Sequence, residues 1–126
     1  SPLGRGFLTG SIGSVDALEE ADYRRQTPRF EAQNLQRNLD LLRELKAVAG
    51  EVGCSAAQLA LTWVLAQGDD VVPIPGTKHR RYLEENVAAA DIELNAEQRA
   101  RLDQAFPPDA PQGPRYPEAM MRLLDG

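Results

Sequence analysis

Residues Val71 to Asn86 hold the densest chemistry in the chain. A short apolar run, Val71-Val-Pro-Ile74, leads through Gly76 into Thr77, Lys78, His79, Arg80 and Arg81. The apolar run predicts a buried strand, and the basic stretch after it predicts a helix whose first turn carries three or four potential cations. A helix start presents N–H groups without intrahelical acceptors and the positive end of the dipole, so it suits a phosphate. Lys78, Tyr82 and the Glu85–Asn86 pair are spaced to share one helical face. A phosphate at the start of that face and a polar ring further along describe a nucleotide. The same residues also fit an exposed charged helix without a ligand, and spacing alone leaves both readings open.

A second segment bears on the choice. The chain opens Ser1-Pro-Leu-Gly-Arg-Gly-Phe-Leu-Thr-Gly10, a glycine-rich loop with one arginine. Glycines let backbone N–H groups approach an anion closely and reach positive φ. The whole chain is acidic, with formal net charge −5, which argues against a general nucleic-acid or anionic-membrane surface. A basic cluster inside an acidic chain points instead to a small anionic ligand. Charged residues at 26% and hydrophobic ones at 42% are ordinary globular proportions. With no apolar run of ~20 residues and no signal peptide, the expectation is a cytoplasmic protein. Cys54 is the one cysteine, so it has no internal disulfide partner, and it reads as a small residue at a helix junction.

The elements that must position these residues follow from periodicity. Residues 1 to about 30 read as mostly irregular, and the charges of Asp22-Tyr-Arg-Arg25 say only that the loop is solvated. From about 31 to 52, Leu35, Leu39, Leu42, Leu45, Ala49 and Val52 make one apolar helical stripe. Ser55-Ala-Ala-Gln58 fits a capping box opening a second helix to about Gln67, apolar nearly all round and so expected to be deeply buried, with Trp63 as a packing anchor. After the basic segment, Leu83 and Val87 are expected to face inward. Asn95-Ala-Glu-Gln98 is another capping box, for a helix to about Phe106. Pro107 to Pro114 reads as a linker, and Pro117 to Leu124 as a last short helix. No repeat and no second domain are evident.

Taken together, the segments resemble the aldo-keto reductase family. The opening S-P-L-G-R-G-F-L-T-G is similar to that family's loop after barrel strand 7, and P-I-P-G-T-K-x-R-x-Y-L-E-E-N to strand 8 and the NADP-binding helix after it. Pro28-Arg-Phe30, Asn34-Leu-Gln-Arg-Asn38 and Ala57 to Leu65 fit the intervening helices, and Leu94 to Gln98 and Arg115 to Met120 fit the C-terminal helix and tail. The resemblance implies the C-terminal portion of a (β/α)8 TIM barrel, mostly helical here, with residues 1–126 as one partial barrel. Such barrels take roughly 250 residues, so 126 residues read as the last third or so of a reductase.

The resemblance also implies roles. Ser1, Leu3, Gly4 and Arg5 would lie along the nicotinamide-side ribose and the pyrophosphate. Gly76, Thr77 and Lys78 would cradle the adenosine 2′-phosphate, Tyr82 would stack on the adenine or hydrogen-bond, and Glu85 and Asn86 would bond its edge. His79 stands where many members carry arginine, so its charge would depend on pH. The cofactor is then NADP(H) and the substrate of the full-length protein a carbonyl compound. The family's catalytic aspartate, tyrosine, lysine and histidine have no matching motif here, and the lysines are Lys46 and Lys78 alone. Two alternatives stay open: a module that pairs with a complementary N-terminal portion or with itself, and a regulatory nucleotide binder without turnover.

Overall fold

The computed structural model describes residues 2–124, and among them the regular elements are helical. The α-helices are α1 (Ala32–Val52), α2 (Ala56–Leu65), α3 (Arg80–Ala88), α4 (Ala96–Ala105) and α5 (Glu118–Met121). The leucine stripe buries Leu35, Leu42 and Leu45 of α1, and Val48 and Ala49 with them. Gly53, at φ 80°, ends α1 in the left-handed region that favours glycine. The chain then bends through 88° into α2. Both predicted capping boxes form: Ser55 Oγ accepts from the Gln58 N–H at 3.1 Å, and Asn95 Oδ1 from the Gln98 N–H at 2.8 Å.

The core sits where α1, α2 and α4 meet. Leu42, Leu45 and Val48 pack with Leu59 and Ala60 of α2 and Leu102 of α4. Each fully buried leucine contributes about 1.5–3 kcal/mol over an exposed one. Outside this core, Arg101 donates to Glu44 at 2.8 Å and to both carboxylate oxygens of Glu51 at 2.9 and 2.7 Å, tying α4 to α1. The front of α2 is buried as expected, whereas Leu65 at its end is exposed. Trp63 is half-buried against the core and donates its indole N–H to Asp103 at 2.8 Å.

Several sequence expectations fail. Val71 to Ile74 is not a strand, and Val72 and Ile74 are 78% and 77% exposed. A strand exists only through a ladder with a neighbour; no described segment pairs with this one, and Pro73 and Pro75 lack the N–H a ladder needs. Leu83 and Val87 are exposed, because α3 packs on α2 through its polar face instead. Residues Pro107 to Pro114 are no loose linker. Asn38, buried in α1, accepts from the Gln112 N–H at 2.8 Å and donates to the Gln112 and Arg29 carbonyls at 3.1 Å.

The opening segment is likewise folded, in 3₁₀ turns at Gly4–Thr9, Val15–Ala17, Tyr23–Gln26 and Pro28–Phe30. Ile12, Leu18 and Phe30 join Leu35 in a small second core. Its arginines act as scaffold rather than as a solvated patch. Arg25 donates to the Val15 and Leu18 carbonyls at 2.9 and 2.8 Å, and Arg24 to the Arg5 carbonyl at 3.2 Å. Arg24 also pairs with Asp22, and its side-chain and backbone hydrogen bonds pull the Asp22 carboxyl down to about 2.

Candidate functional site

A cleft of about 680 Å³ opens between the Gly4–Thr9 turn, residues 75–79 and α3. It is lined by Leu3, Arg5, Gly76, Thr77, Lys78, Tyr82, Glu85 and Asn86, so the two segments singled out in the sequence do come together. Ser1 lies outside the described residues. Gly4 lines a neighbouring cavity rather than this cleft. His79, Thr9, Ser11 and Ala57 also line it. Thr9 and Ser11 share a 2.8 Å hydrogen bond, and the only sequence signal for them is their place at the end of the glycine-rich loop.

The positive side of the cleft is built at the start of α3. The helix begins at Arg80, two residues later than the phosphate-site spacing implies, so Lys78 and the N-cap His79 precede it. α2 and α4 have complete capping boxes, whereas His79 makes no side-chain capping bond and the first turn of α3 holds no acid. The His79 and Tyr82 N–H groups bond to the Thr77 hydroxyl and the His79 carbonyl, which leaves those of Arg80 and Arg81 in need of an acceptor among the described residues. Thr77 folds back on the loop, its hydroxyl accepting from the His79 N–H and donating to the His79 carbonyl, both at 3.2 Å. A Cβ added at Gly76 would meet nothing within 4 Å, so the backbone there is open to a ligand. Lys78 is exposed and has no ion pair among the described residues, whereas Arg80 is bound to Glu84 at 2.8 Å.

The polar end of the cleft is fixed by α2. Ser55 donates its hydroxyl to Glu85 Oε1, and the Gln58 amide donates to the Glu85 carbonyl at 3.2 Å. Buried Thr62 donates to the Ala89 carbonyl at 3.0 Å, just beyond the end of α3. Glu85 thus has one oxygen engaged and a second able to accept from a ligand, beside half-buried Asn86. Tyr82 lies edge-on to His79, with ring centres 5.6 Å apart, and the Arg81 guanidinium sits 4.4 Å from the Tyr82 ring centre. Tyr82 is 40% exposed, which leaves a ring surface for stacking.

On the opposite wall, Arg5 is held at φ 59° and ψ 34° between Gly4 at φ 55° and Gly6 at φ 86°. A left-handed residue with a Cβ costs about 1–2 kcal/mol, a strain typical of sites that hold something.

The sequence model described as the aldo/keto reductase family matches residues 1–106. The chain belongs to the aldo/keto reductase family. The matched span includes every residue lining the cleft. A protein of Schizosaccharomyces pombe named aldo-keto reductase yakc, with NADP(+) in its name, is 43% identical over 117 residues, which is 93% of this chain and 34% of that protein. The aldo-keto reductase str7 of Strobilurus tenacellus is 46% identical over 102 residues, 81% of this chain and 30% of the relative. This aldo/keto reductase chain thus spans about a third of the length of the curated relatives it matches.

No tyrosine–lysine hydrogen bond exists among the described residues. Tyr82 accepts from Arg81, and Tyr23 points its hydroxyl at the Met120 sulfur, 3.6 Å away. Lys46 lies exposed on α1 beside Gly10. No group of three metal-ligating side chains is found, and no single helix is long and apolar enough to cross a membrane, again among the described residues. Cys54 packs half-buried against the core, and burial pushes its thiol up, away from reactive thiolate.

Proposed function

We propose that this chain is the cofactor-gripping portion of an NADP(H)-dependent aldo-keto reductase, and that it forms the C-terminal part of a (β/α)8 barrel from the loop after strand 7 to the tail. The observation that carries this reading is the uncapped start of α3, set beside Gly76, Thr77 and Lys78 in a cleft of an otherwise acidic chain. Such a donor set fits a phosphate monoester, and a phosphate there fits the 2′-phosphate that separates NADP(H) from NAD(H). Each charge-assisted bond is worth about 1.5–3 kcal/mol, so two of them supply roughly a hundredfold preference.

Within that reading, Lys78 and the Arg80 and Arg81 N–H groups hold the phosphate while Thr77 shapes the loop through its bonds to His79, and Tyr82 offers its ring face to the adenine. Glu85 accepts from the exocyclic amino group while Asn86 donates to a ring nitrogen. Leu3 and Arg5 lie along the pyrophosphate. The cofactor supplies the hydride for reduction of an aldehyde or ketone in the whole enzyme; the residues here bind and orient. The name of the Schizosaccharomyces pombe relative supports the NADP(H) assignment.

The test is calorimetric titration of the chain with adenosine 2′,5′-bisphosphate and with 5′-AMP. The bisphosphate should bind about tenfold or more tightly than 5′-AMP, and Lys78→Ala should abolish most of that difference. Equal affinities in the wild-type chain would remove the phosphate site from α3.

A further inference from the structure

Arg5, Arg29 and Arg115 come from three distant parts of the chain, yet they line one cavity of about 470 Å³. Arg29 is half-buried and donates Nε–H to the Gly113 carbonyl at 3.2 Å, while the Arg5 guanidinium sits 4.7 Å from the ring centre of Tyr116, which lines the same cavity. No carboxylate lines this space, and none of the three arginines forms an ion pair among the described residues. The remaining wall is largely apolar, including Phe7, Phe30, Leu41 and Phe106. Burial first, then repulsion from Arg115 and Arg5, pushes the Arg29 guanidinium below its ordinary pKa. Gathering three like charges in a space without an acid is unfavourable, and a bound anion would offset that repulsion.

We propose that this cavity binds an organic oxyanion, a carboxylate or phosphate carried on a short apolar body, with Arg29 and Arg115 on the acid group and the phenylalanine wall on the body. Guanidinium forks match such oxyanions in plane and charge. The cavity shares only Arg5 with the cofactor cleft, so the proposal stands whether or not that cleft takes NADP(H).

Calorimetry on the full chain, with saturating adenosine 2′,5′-bisphosphate present, separates the two sites. Phenylacetate or phenyl phosphate should bind about tenfold more tightly than phenylacetamide, and more tightly than inorganic phosphate, which lacks the apolar body. The stronger of the two acids identifies the head group. Arg115→Gln should weaken the acid about tenfold and leave the amide and the melting temperature unchanged, since Arg115 is exposed. Arg29→Gln should act similarly on the acid, although loss of its bond to Gly113 also perturbs the tail. The proposal is overturned by equal affinity for acid and amide, or by inorganic phosphate binding as well as the larger acids. Displacement of the acid by the bisphosphate, or full binding by Arg115→Gln, overturns it equally.

Discussion

Ser55 and Glu85 are joined by a hydrogen bond that couples the start of α2 to the cleft-facing side of α3. The Ser55 hydroxyl accepts from the Gln58 N–H and donates to the Glu85 carboxylate, so one oxygen begins a helix and orients a cleft residue. The negative charge also lies near the positive end of the α2 dipole, a favourable placement.

Ser55→Ala is therefore expected to do two things at once. Loss of the cap should lower stability by about 1–2 kcal/mol in urea unfolding. Binding of adenosine 2′,5′-bisphosphate should weaken as well, because Glu85 loses the bond that aims it. A loss of stability with unchanged ligand affinity would show that Glu85 does not contact the adenine.

Asn38 offers a test of the tail. Its amide bridges α1 to Arg29 and Gln112, 74 residues away along the chain, and it is only 4% exposed. Asn38→Ala should cost about 1–3 kcal/mol, because it removes a buried amide and leaves backbone groups of half-buried Arg29 and Gln112 without partners. Proteolysis should then cut first within residues 107–116. A variant as resistant as wild type would mean that the proline-rich segment holds itself in place.

Asp22 sets an acid limit. Its carboxyl titrates at about 2 in the folded chain against an ordinary 3.8. A depressed pKa contributes stability that is present above the unfolded value and is lost as pH falls from about 4 toward 2. Urea midpoints should fall over that window, and Asp22→Asn should flatten the decline while lowering stability at neutral pH. An unchanged slope in the variant would assign the acid sensitivity to other carboxylates.

Turnover supplies the fourth expectation. With no tyrosine–lysine pair among the described residues, this chain should not consume NADPH when given simple aldehydes. Absorbance loss at the reduced-nicotinamide band, above that of a boiled sample, would contradict the assignment of these residues to binding alone.

Much of the local structure is legible in the sequence. Ser55-Ala-Ala-Gln58 and Asn95-Ala-Glu-Gln98 start α2 and α4 as expected, because a capping box is decided within four residues. The leucine stripe marks α1 to within a residue at each end. The features that escape depend on partners far along the chain. Strand pairing cannot be read from Val71 to Ile74 alone, and the clasp between Asn38 and Gln112 leaves no periodic trace. Most of the candidate cleft is legible through the family's motifs, yet nothing local to Pro28-Arg-Phe30 marks Arg29 as a cavity residue. Its proximity to Arg5 and Arg115 is a tertiary fact.

No side chain of α3 is buried, and the helix leans on α2 through hydrogen bonds from Ser55, Gln58 and Thr62. Its opening therefore exposes little apolar surface and should cost far less than unfolding the α1–α2–α4 core. In hydrogen exchange, the α3 amides should form their own fast-exchanging unit, while those of α1 track global unfolding. A nucleotide seated on this helix would then reveal itself as a slowing confined to residues 80–88. The site would record its own occupancy as a change in local opening, with the rest of the molecule indifferent.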